Sequence, residues 1–346
     1  MTVVRALAAP AASAPFETTT IERRALRDND IRIDIKFAGI CHSDIHTIRE
    51  EWGPQTFPLV PGHEIAGVVA EVGSAVTRHQ VGDRVGVGCM VDSCGECDFC
   101  KDGQENYCST QTVWTYGSPD IDGTITQGGY SQEVVVAERF VVRIPEGIEL
   151  DEAAPLLCAG ITTYNPLRRF GAGPGTKVAV VGLGGLGHMG VKIAAAMGAE
   201  VTVMSRSRAK EQDARELGAT GYVATGEEGA LEAVAGTYDI VLNTVSADLP
   251  LQDYLDTTRP HGALVNVGLP TSDYTVSPWS LVGGSRIVAG SNIGGIALTQ
   301  EMLDFCAEHR IASTIETIGA DEVDAAYDRV VDGTVHYRVV IDTATI

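Results

Sequence analysis

Apolar and polar residues alternate through much of the first 150 positions. Residues 31–37 (Ile-Arg-Ile-Asp-Ile-Lys-Phe) keep a period of two, which predicts a strand with one face buried and the other wet. Stretches 64–72 and 84–88 continue in β-rich fashion, and Gly73 and Gly82-Asp83 predict turns. From about Pro155 the texture changes. Residues 177–181, apolar without a break after Lys177, suit a strand buried on both faces, and a helical pattern over 186–197 follows and stops at Gly198. A second apolar strand over 200–204 precedes a helix over 208–217 that ends at Gly218. Further short strands are predicted over 239–245, 263–267 and 286–289. Strands alternating with helices imply a parallel sheet covered on both faces. The last fifty residues predict helices over 298–308 and 322–331 and a strand over 337–341.

Composition narrows the functions open to such a chain. Its 346 residues suffice for two domains, and 44% hydrophobic with 21% charged residues is ordinary for a globular protein with a real core. Against 25 Lys+Arg stand 46 acidic residues, a net charge of −21. That charge repels phosphate backbones and anionic headgroups, so neither nucleic acid nor a membrane is an expected partner. No run approaches the ~18 apolar residues of a spanning helix. The Ala-rich stretch from Ala6 to Pro15 faintly resembles a signal peptide, but it is interrupted by Pro10 and lacks a basic start. A reduced, cytoplasmic protein is expected.

Between the first parallel strand and its helix lies Gly182-Leu183-Gly184-Gly185-Leu186-Gly187. A G-x-G-x-x-G after a strand and opening a helix is the context of a dinucleotide fingerprint. Gly182 would allow the tight turn, Gly184 close approach of a pyrophosphate, and Gly187 close packing of helix on strand. At the tip of the second strand an acid would hold the ribose 2′-OH of NAD. Here stand Ser205-Arg206-Ser207-Arg208 and then Lys210, which suit a 2′-phosphate and predict NADP(H).

Eight cysteines supply the metal chemistry. Cys94-x2-Cys97-x2-Cys100-x7-Cys108 places four thiolates close enough to wrap one tetrahedral Zn²⁺ in a closed, structural site. An iron–sulfur cluster also takes four thiolates, but the dinucleotide-binding setting favours zinc. Cys41, His63 and Cys158 are dispersed, yet two thiolates and an imidazole form a Cys₂His catalytic site with an open fourth position. Their local wording is distinctive: Cys41-His42-Ser43-Asp44-Ile45-His46, Gly62-His63-Glu64, and Leu156-Leu157-Cys158-Ala159-Gly160. Cys89 and Cys306 are left as buried apolar thiols.

On these motifs nearly the whole chain resembles the zinc-dependent medium-chain alcohol dehydrogenases. Within them it is most similar to the cinnamyl-alcohol-dehydrogenase-like, NADP-dependent aldehyde reductases. The resemblance implies an α/β protein. A GroES-like, β-rich catalytic domain (1–152 and 296–346, with a zinc lobe near 89–110) would enclose a doubly wound Rossmann domain (153–295). It implies catalytic zinc on Cys41, His63 and Cys158, with Glu64 able to join the metal shell. Asp44 would fix the tautomer of the ligand histidine, and Ser43 and His46 would pass the proton. Cofactor contacts would come from Thr162, residues 182–187, Ser205, Arg206, Ser207, Lys210, Thr244, Val267, Gly268, Ser291 and Asn292. Trp52, Trp114 and Asn292 would line a substrate pocket. The implied assembly is a homodimer joined through 285–292, and the implied reaction is reversible hydride transfer between NADPH and aromatic or medium-chain aldehydes. An NAD-dependent polyol or formaldehyde dehydrogenase of the same fold is the competing enzyme, and a non-catalytic NADPH-binding zinc scaffold the competing class. Cys158 where polyol enzymes carry a carboxylate, the basic segment at 205–210, and an intact ligand set argue against these.

Overall fold

The alternation at 31–37 builds the strand Asp30–Ile40, with Ile31, Ile33 and Ile35 buried and Lys36 exposed. The strand outruns the alternating stretch because its end is flanked on both sides. Phe37–Ile40 pair with Val339–Asp342, while Phe37 and Ala38 also pair with Ala66 and Ile65, so consecutive residues are buried and the period of two is lost. In the computed structural model, which describes every residue except Thr271, this strand centres a seven-stranded sheet. The order is Ile315–Ile318, Arg338–Asp342, Asp30–Ile40, Ile65–Val72, Arg84–Val87, Val142–Arg143, with Glu133–Ala137 also paired to Asp30–Ile40. A hairpin of Thr2–Ala8 and Glu17–Arg23 lies beside it, so the stretch resembling a signal peptide begins in a strand with Ala6 and Leu7 buried. A small ribbon, Met90–Ser93 with Thr112–Trp114, carries the cysteine-rich lobe. These elements form one compact unit, residues 1–158 with 294–346.

The other unit, residues 159–293, holds a six-stranded sheet that is parallel throughout. Its order is Gly221–Ala224, Glu200–Ser205, Lys177–Val181, Tyr238–Asn243, Thr258–Asn266, Ile287–Gly290. Numbered within the unit this is 3-2-1-4-5-6, the doubly wound order whose direction reverses between the first and fourth strands. Helix Gly187–Ala196 follows the first strand. The helix expected over 208–217 is a 3₁₀ turn, Arg208–Lys210, followed by Glu211–Glu216. Contacts group residues 159–293 in this unit. The 3₁₀ turn Ala154–Leu157 belongs with the first unit, where Leu157 packs so closely on Gly86 and Gly88 that neither has room for a side chain. Among the described residues no helix is long and apolar enough to cross a membrane.

Candidate active site and metal centres

Strand Asp30–Ile40 ends at Cys41, which is the N-cap of helix His42–Ile48. A capping box fixes the turn: the Cys41 N–H donates to Asp44 Oδ2 at 2.9 Å, and the Cys41 side chain faces the Asp44 backbone. The carboxylate that caps the helix also accepts from the Gly62 N–H (3.3 Å) and the Tyr130 hydroxyl (3.4 Å). It contacts His63 Nδ1 at 3.0 Å. Asp44 is wholly buried, so it is no surface acid. With Nδ1 committed, His63 turns Nε2 to within 3.3 Å of Cys158 Sγ, and Cys158 Sγ lies 3.9 Å from Cys41 Sγ. Donor atoms of Cys41, His63, Glu64 and Cys158 all lie within 4.8 Å of one another, and all four residues are buried.

These spacings fit a metal ion. Zn–S bonds of about 2.3 Å in a tetrahedron put sulfurs about 3.8 Å apart, whereas a disulfide needs about 2.05 Å. Without an ion the thiols must share protons. The hydrogen bond from Cys158 drops Cys41 well below the ordinary thiol range, while Cys158 rises through its bonds to Cys41 and Cys89. Burial lowers the His63 pKa most, but the charges of Asp44 and Cys89 and the hydrogen bonds to Asp44 and Cys41 together outweigh it, and the net shift is upward. Burial pushes Glu64 up to about 7 against the pull of Arg338. Arg338 Nη2 donates to Glu64 Oε1, and Glu64 Oε2 is buried without a partner among the described residues. Cys89 departs from the expected inert core thiol: it is only half-buried, and the neighbouring Cys158 thiol and the His63 charge hold its pKa below the ordinary thiol value. Cys306 is buried against Met302 as expected.

The second quartet is equally tight. Sγ atoms of Cys94 and Cys100 are 3.9 Å apart, as are those of Cys97 and Cys108, and all four lie within 4.8 Å of one another. That spacing encloses a single ion. Backbone N–H groups of Cys100 and Ser109 lower Cys97 to about 5, and burial raises Cys100 to about 11. Arg139 reaches in from outside the lobe, donating to Asp92 and to Ser93, whose hydroxyl accepts from Cys100 Sγ at 3.3 Å. A cation therefore sits one hydroxyl away from the cysteine cluster.

In the parallel-sheet unit the glycines of the loop differ in their surroundings. Gly182 has φ +89° and no room for a side chain against Val245; Gly187 would clash with the Gly182 carbonyl; Gly184 faces open space. Thr244 Oγ1 donates to Val181 O at 2.7 Å and abuts the loop, and the N–H groups of Val267 and Gly268 both reach Asn243 O. These residues thus share the C-terminal edge of the sheet around its switch point, where ligands of this architecture bind. Ser291 joins them through its N–H on Asn266 O, and its hydroxyl is buried and unpartnered among the described residues. Thr162 is buried on helix Ala159–Arg169, and Asn292 lies one residue before the end of the unit. Ser205 ends the second strand, and Lys210 Nζ donates to Leu183 O at 2.9 Å, tying the basic segment to the glycine loop. Arg208 is engaged by Glu227 and Glu211, while Arg206 and Ser207 stay exposed.

Around the predicted relay the structure adds residues that sequence reasoning missed. Ser43 Oγ lies 3.6 Å from Cys41 Sγ. Helix His42–Ile48 ends in a left-handed cap at Glu50 (φ +56°): the Glu51 N–H reaches His46 O and the Glu50 N–H reaches Thr47 O. This cap folds the Glu51 carboxylate onto His46 Nδ1. Trp52, expected to line substrate, stacks on the His46 ring. Trp114 ends its strand partly exposed.

Residues 27–146 match the profile of the alcohol dehydrogenase GroES-like domain and residues 185–308 that of the zinc-binding dehydrogenases. The chain is 58% identical to a probable formaldehyde dehydrogenase of Bacillus subtilis, over 99% of this chain and 98% of the relative. It is 57% identical to an NADP-dependent alcohol dehydrogenase of Mycolicibacterium smegmatis, over 100% of this chain and 99% of that one. A solved cinnamyl alcohol dehydrogenase of Sorghum bicolor superposes with a TM-score of 0.96 at 42% identity, covering 99% of this chain and 98% of that one. With two metal-sized cysteine clusters in one unit and a dinucleotide sheet in the other, the chain belongs to the zinc-dependent medium-chain alcohol dehydrogenases, on their cinnamyl-alcohol-dehydrogenase-like branch.

Proposed function

We propose that this chain is an NADP(H)-dependent alcohol dehydrogenase that reduces aromatic and medium-chain aldehydes to primary alcohols and runs the reverse oxidation. The observation that carries the reading is the convergence of Cys41, His63 and Cys158, residues far apart in sequence, into one buried metal-sized cluster. Zinc at such a site supplies Lewis-acid polarisation of a carbonyl and a lowered pKa for a bound alcohol, and NADPH supplies the hydride. The protein's own residues do the rest. Cys41, His63 and Cys158 hold the ion, Asp44 sets the His63 tautomer, and Glu64, braced by Arg338, offers its free Oε2 as a further ligand. Ser43 and His46 handle the alcohol proton. With its Nδ1–H donated to Glu51, His46 keeps Nε2 as the nitrogen that takes or returns the proton.

Cys94, Cys97, Cys100 and Cys108 hold a second, structural zinc. The open face at Gly184 and the start of helix Gly187–Ala196 receive the pyrophosphate, and Ser205, Arg206, Ser207 and Lys210 receive the 2′-phosphate. The absence of a carboxylate at that strand tip and the NADP-dependent relative support this cofactor. Trp114 serves as an aromatic wall for substrate. Eight free cysteines suit the reducing cytoplasm, and an unpaired apolar edge strand, Ile287–Gly290, supports a homodimer.

An aldehyde panel containing cinnamaldehyde, benzaldehyde, hexanal and formaldehyde tests the reading, with NADPH or NADH and with or without chelator. Two zincs per chain are expected, with NADPH preferred and the aromatic and medium-chain aldehydes turned over until chelator removes the catalytic ion. Preference for NADH, or turnover confined to formaldehyde, overturns it.

A further inference from the structure

We propose that Trp52 is a positioning residue for the proton relay: its indole lies along the His46 imidazole and holds that ring with Nδ1 on Glu51 and Nε2 free to exchange a proton. The proposal rests on the reading of His46 as a relay group made above.

The placement begins with the backbone. The left-handed Glu50 reverses the chain at the end of helix His42–Ile48, and the Glu51 N–H closes on the carbonyl of His46 at 2.9 Å. In caps of this kind the residue after the left-handed position packs back on the last helical turn, usually through an apolar contact. Here that contact is polar, Glu51 on His46, and the apolar role passes to the next residue. Gly53, with φ +122° and its N–H on Glu50 O, continues the turn and keeps Trp52 folded over the helix end.

The resulting contact is specific. Ring centroids of Trp52 and His46 are 4.8 Å apart with the planes 27° from parallel. His42, one helical turn back, comes within 5.3 Å of the same imidazole. Trp52 remains 45% exposed, so core burial does not account for its position. Nor is His46 held by its own helix, because rotation about the Cβ–ring bond of a histidine is broad and roughly two-fold. A half-turn would take Nδ1 off Glu51 and move Nε2 from the place where it now sits buried and unpartnered among the described residues. An aromatic plane against the imidazole opposes that half-turn sterically, and Glu51 opposes it through one hydrogen bond. Together they determine which nitrogen carries the proton. A base out of alignment with its proton loses much of the ~10²–10⁴-fold that general acid–base catalysis supplies.

This role differs from that of a pocket wall, and the difference is measurable. A wall acts on affinity and discriminates by substrate bulk. A positioning residue lowers turnover for every substrate alike. The test uses the zinc-loaded enzyme with NADP⁺ and two alcohols, benzyl alcohol and hexan-1-ol, in wild type, W52L and W52F. For W52L a fall in kcat of about tenfold is expected on both alcohols, with KM changed less than about twofold, a fraction of the general acid–base contribution. W52F retains a flat ring and should recover most of the rate. In parallel, ¹⁵N spectra of histidine-labelled enzyme, with the His46 signals assigned by their loss in His46→Gln, should report the Nδ1–H form in wild type and W52F. In W52L they should report a mixture of tautomers. A W52L enzyme with raised KM for benzyl alcohol alone, and unchanged kcat and spectra, makes Trp52 a substrate wall and overturns the proposal. Equal spectra in all three proteins overturn it as well. If wild type oxidises neither alcohol, the functional reading fails, and the tautomer signals still decide whether Trp52 sets the imidazole.

Discussion

Asp44 shows how one side chain can govern a metal it does not touch. A buried carboxylate is costly unless its lone pairs are filled, and here two backbone N–H groups, an imidazole and a phenol surround it. The same oxygens place Cys41 at the helix start and turn His63 toward Cys158, so ligand geometry and local fold share one residue. Asp44→Asn keeps the volume but removes the charge and presents an N–H to groups that are themselves donors. The catalytic ion should then be held about 10–100-fold less tightly. The structural ion, bound by residues of the separate lobe, should be unaffected. Zinc competition against a chelator, with circular dichroism to verify the fold, measures both sites. Equal retention of both ions in the variant would remove Asp44 from the metal's support.

At the scale of elements, the cysteine lobe has little besides its metal to order it. Its helix Asp98–Lys101 and 3₁₀ turn Glu105–Tyr107 are each about one turn long, and only Asn106 within them is buried. Isolated helices of that length are unstable in water, so the thiolate–metal bonds must supply the order. Cys97→Ala should release one zinc per chain and cost about 2 kcal/mol or more, lowering Tm by roughly 4–8 °C for units of this size. A melt coincident with wild type would refute a structural role. How far such elements could be read in advance depended on what dictates them. Strand Lys177–Val181 was legible because burial on both faces leaves a continuous apolar run after the exposed Lys177. Strand Gly221–Ala224 was not, since three of its four residues are only half-buried and its sequence carries no alternation. The pattern over 208–217 predicts a single helix because Arg208 and Glu211 look like helix formers. In the fold Arg208 is drawn to Glu227, and the first turn tightens. The quartet Cys94, Cys97, Cys100 and Cys108 was legible because cysteines at short spacing leave few other readings, whereas the dispersed Cys41, His63 and Cys158 were legible only through the local motifs around them. Their supports were hidden: Arg338 lies 274 positions from Glu64, and Glu51 reaches His46 through a left-handed residue that is glutamate, with no glycine to announce the turn.

Across the whole molecule, charge and an unfinished sheet pull in opposite directions. Strand Ile287–Gly290 is the last in its sheet, with Ile287 and Val288 exposed, and on the preceding helix Pro278–Gly284 the side chains of Trp279 and Val282 are more than two-thirds exposed. A bare apolar edge invites pairing with another strand, and two copies meeting about a two-fold axis would satisfy both edges at once. Each copy carries a net charge of −21, so association must overcome long-range repulsion. The dimer should therefore tighten as salt rises from about 10 mM to 150 mM, where the screening length falls from about 30 Å to 8 Å. Val288→Lys puts a charge on the edge, and two-fold symmetry brings it into the contact twice. Light scattering should then give the 36.5 kDa of one chain in place of twice that mass. Both cysteine clusters lie in the other compact unit, so the variant should keep two zincs while it dissociates. A wild-type chain that is monomeric at micromolar concentration in 150 mM salt, or a Val288→Lys chain that stays paired, would place the assembly surface elsewhere.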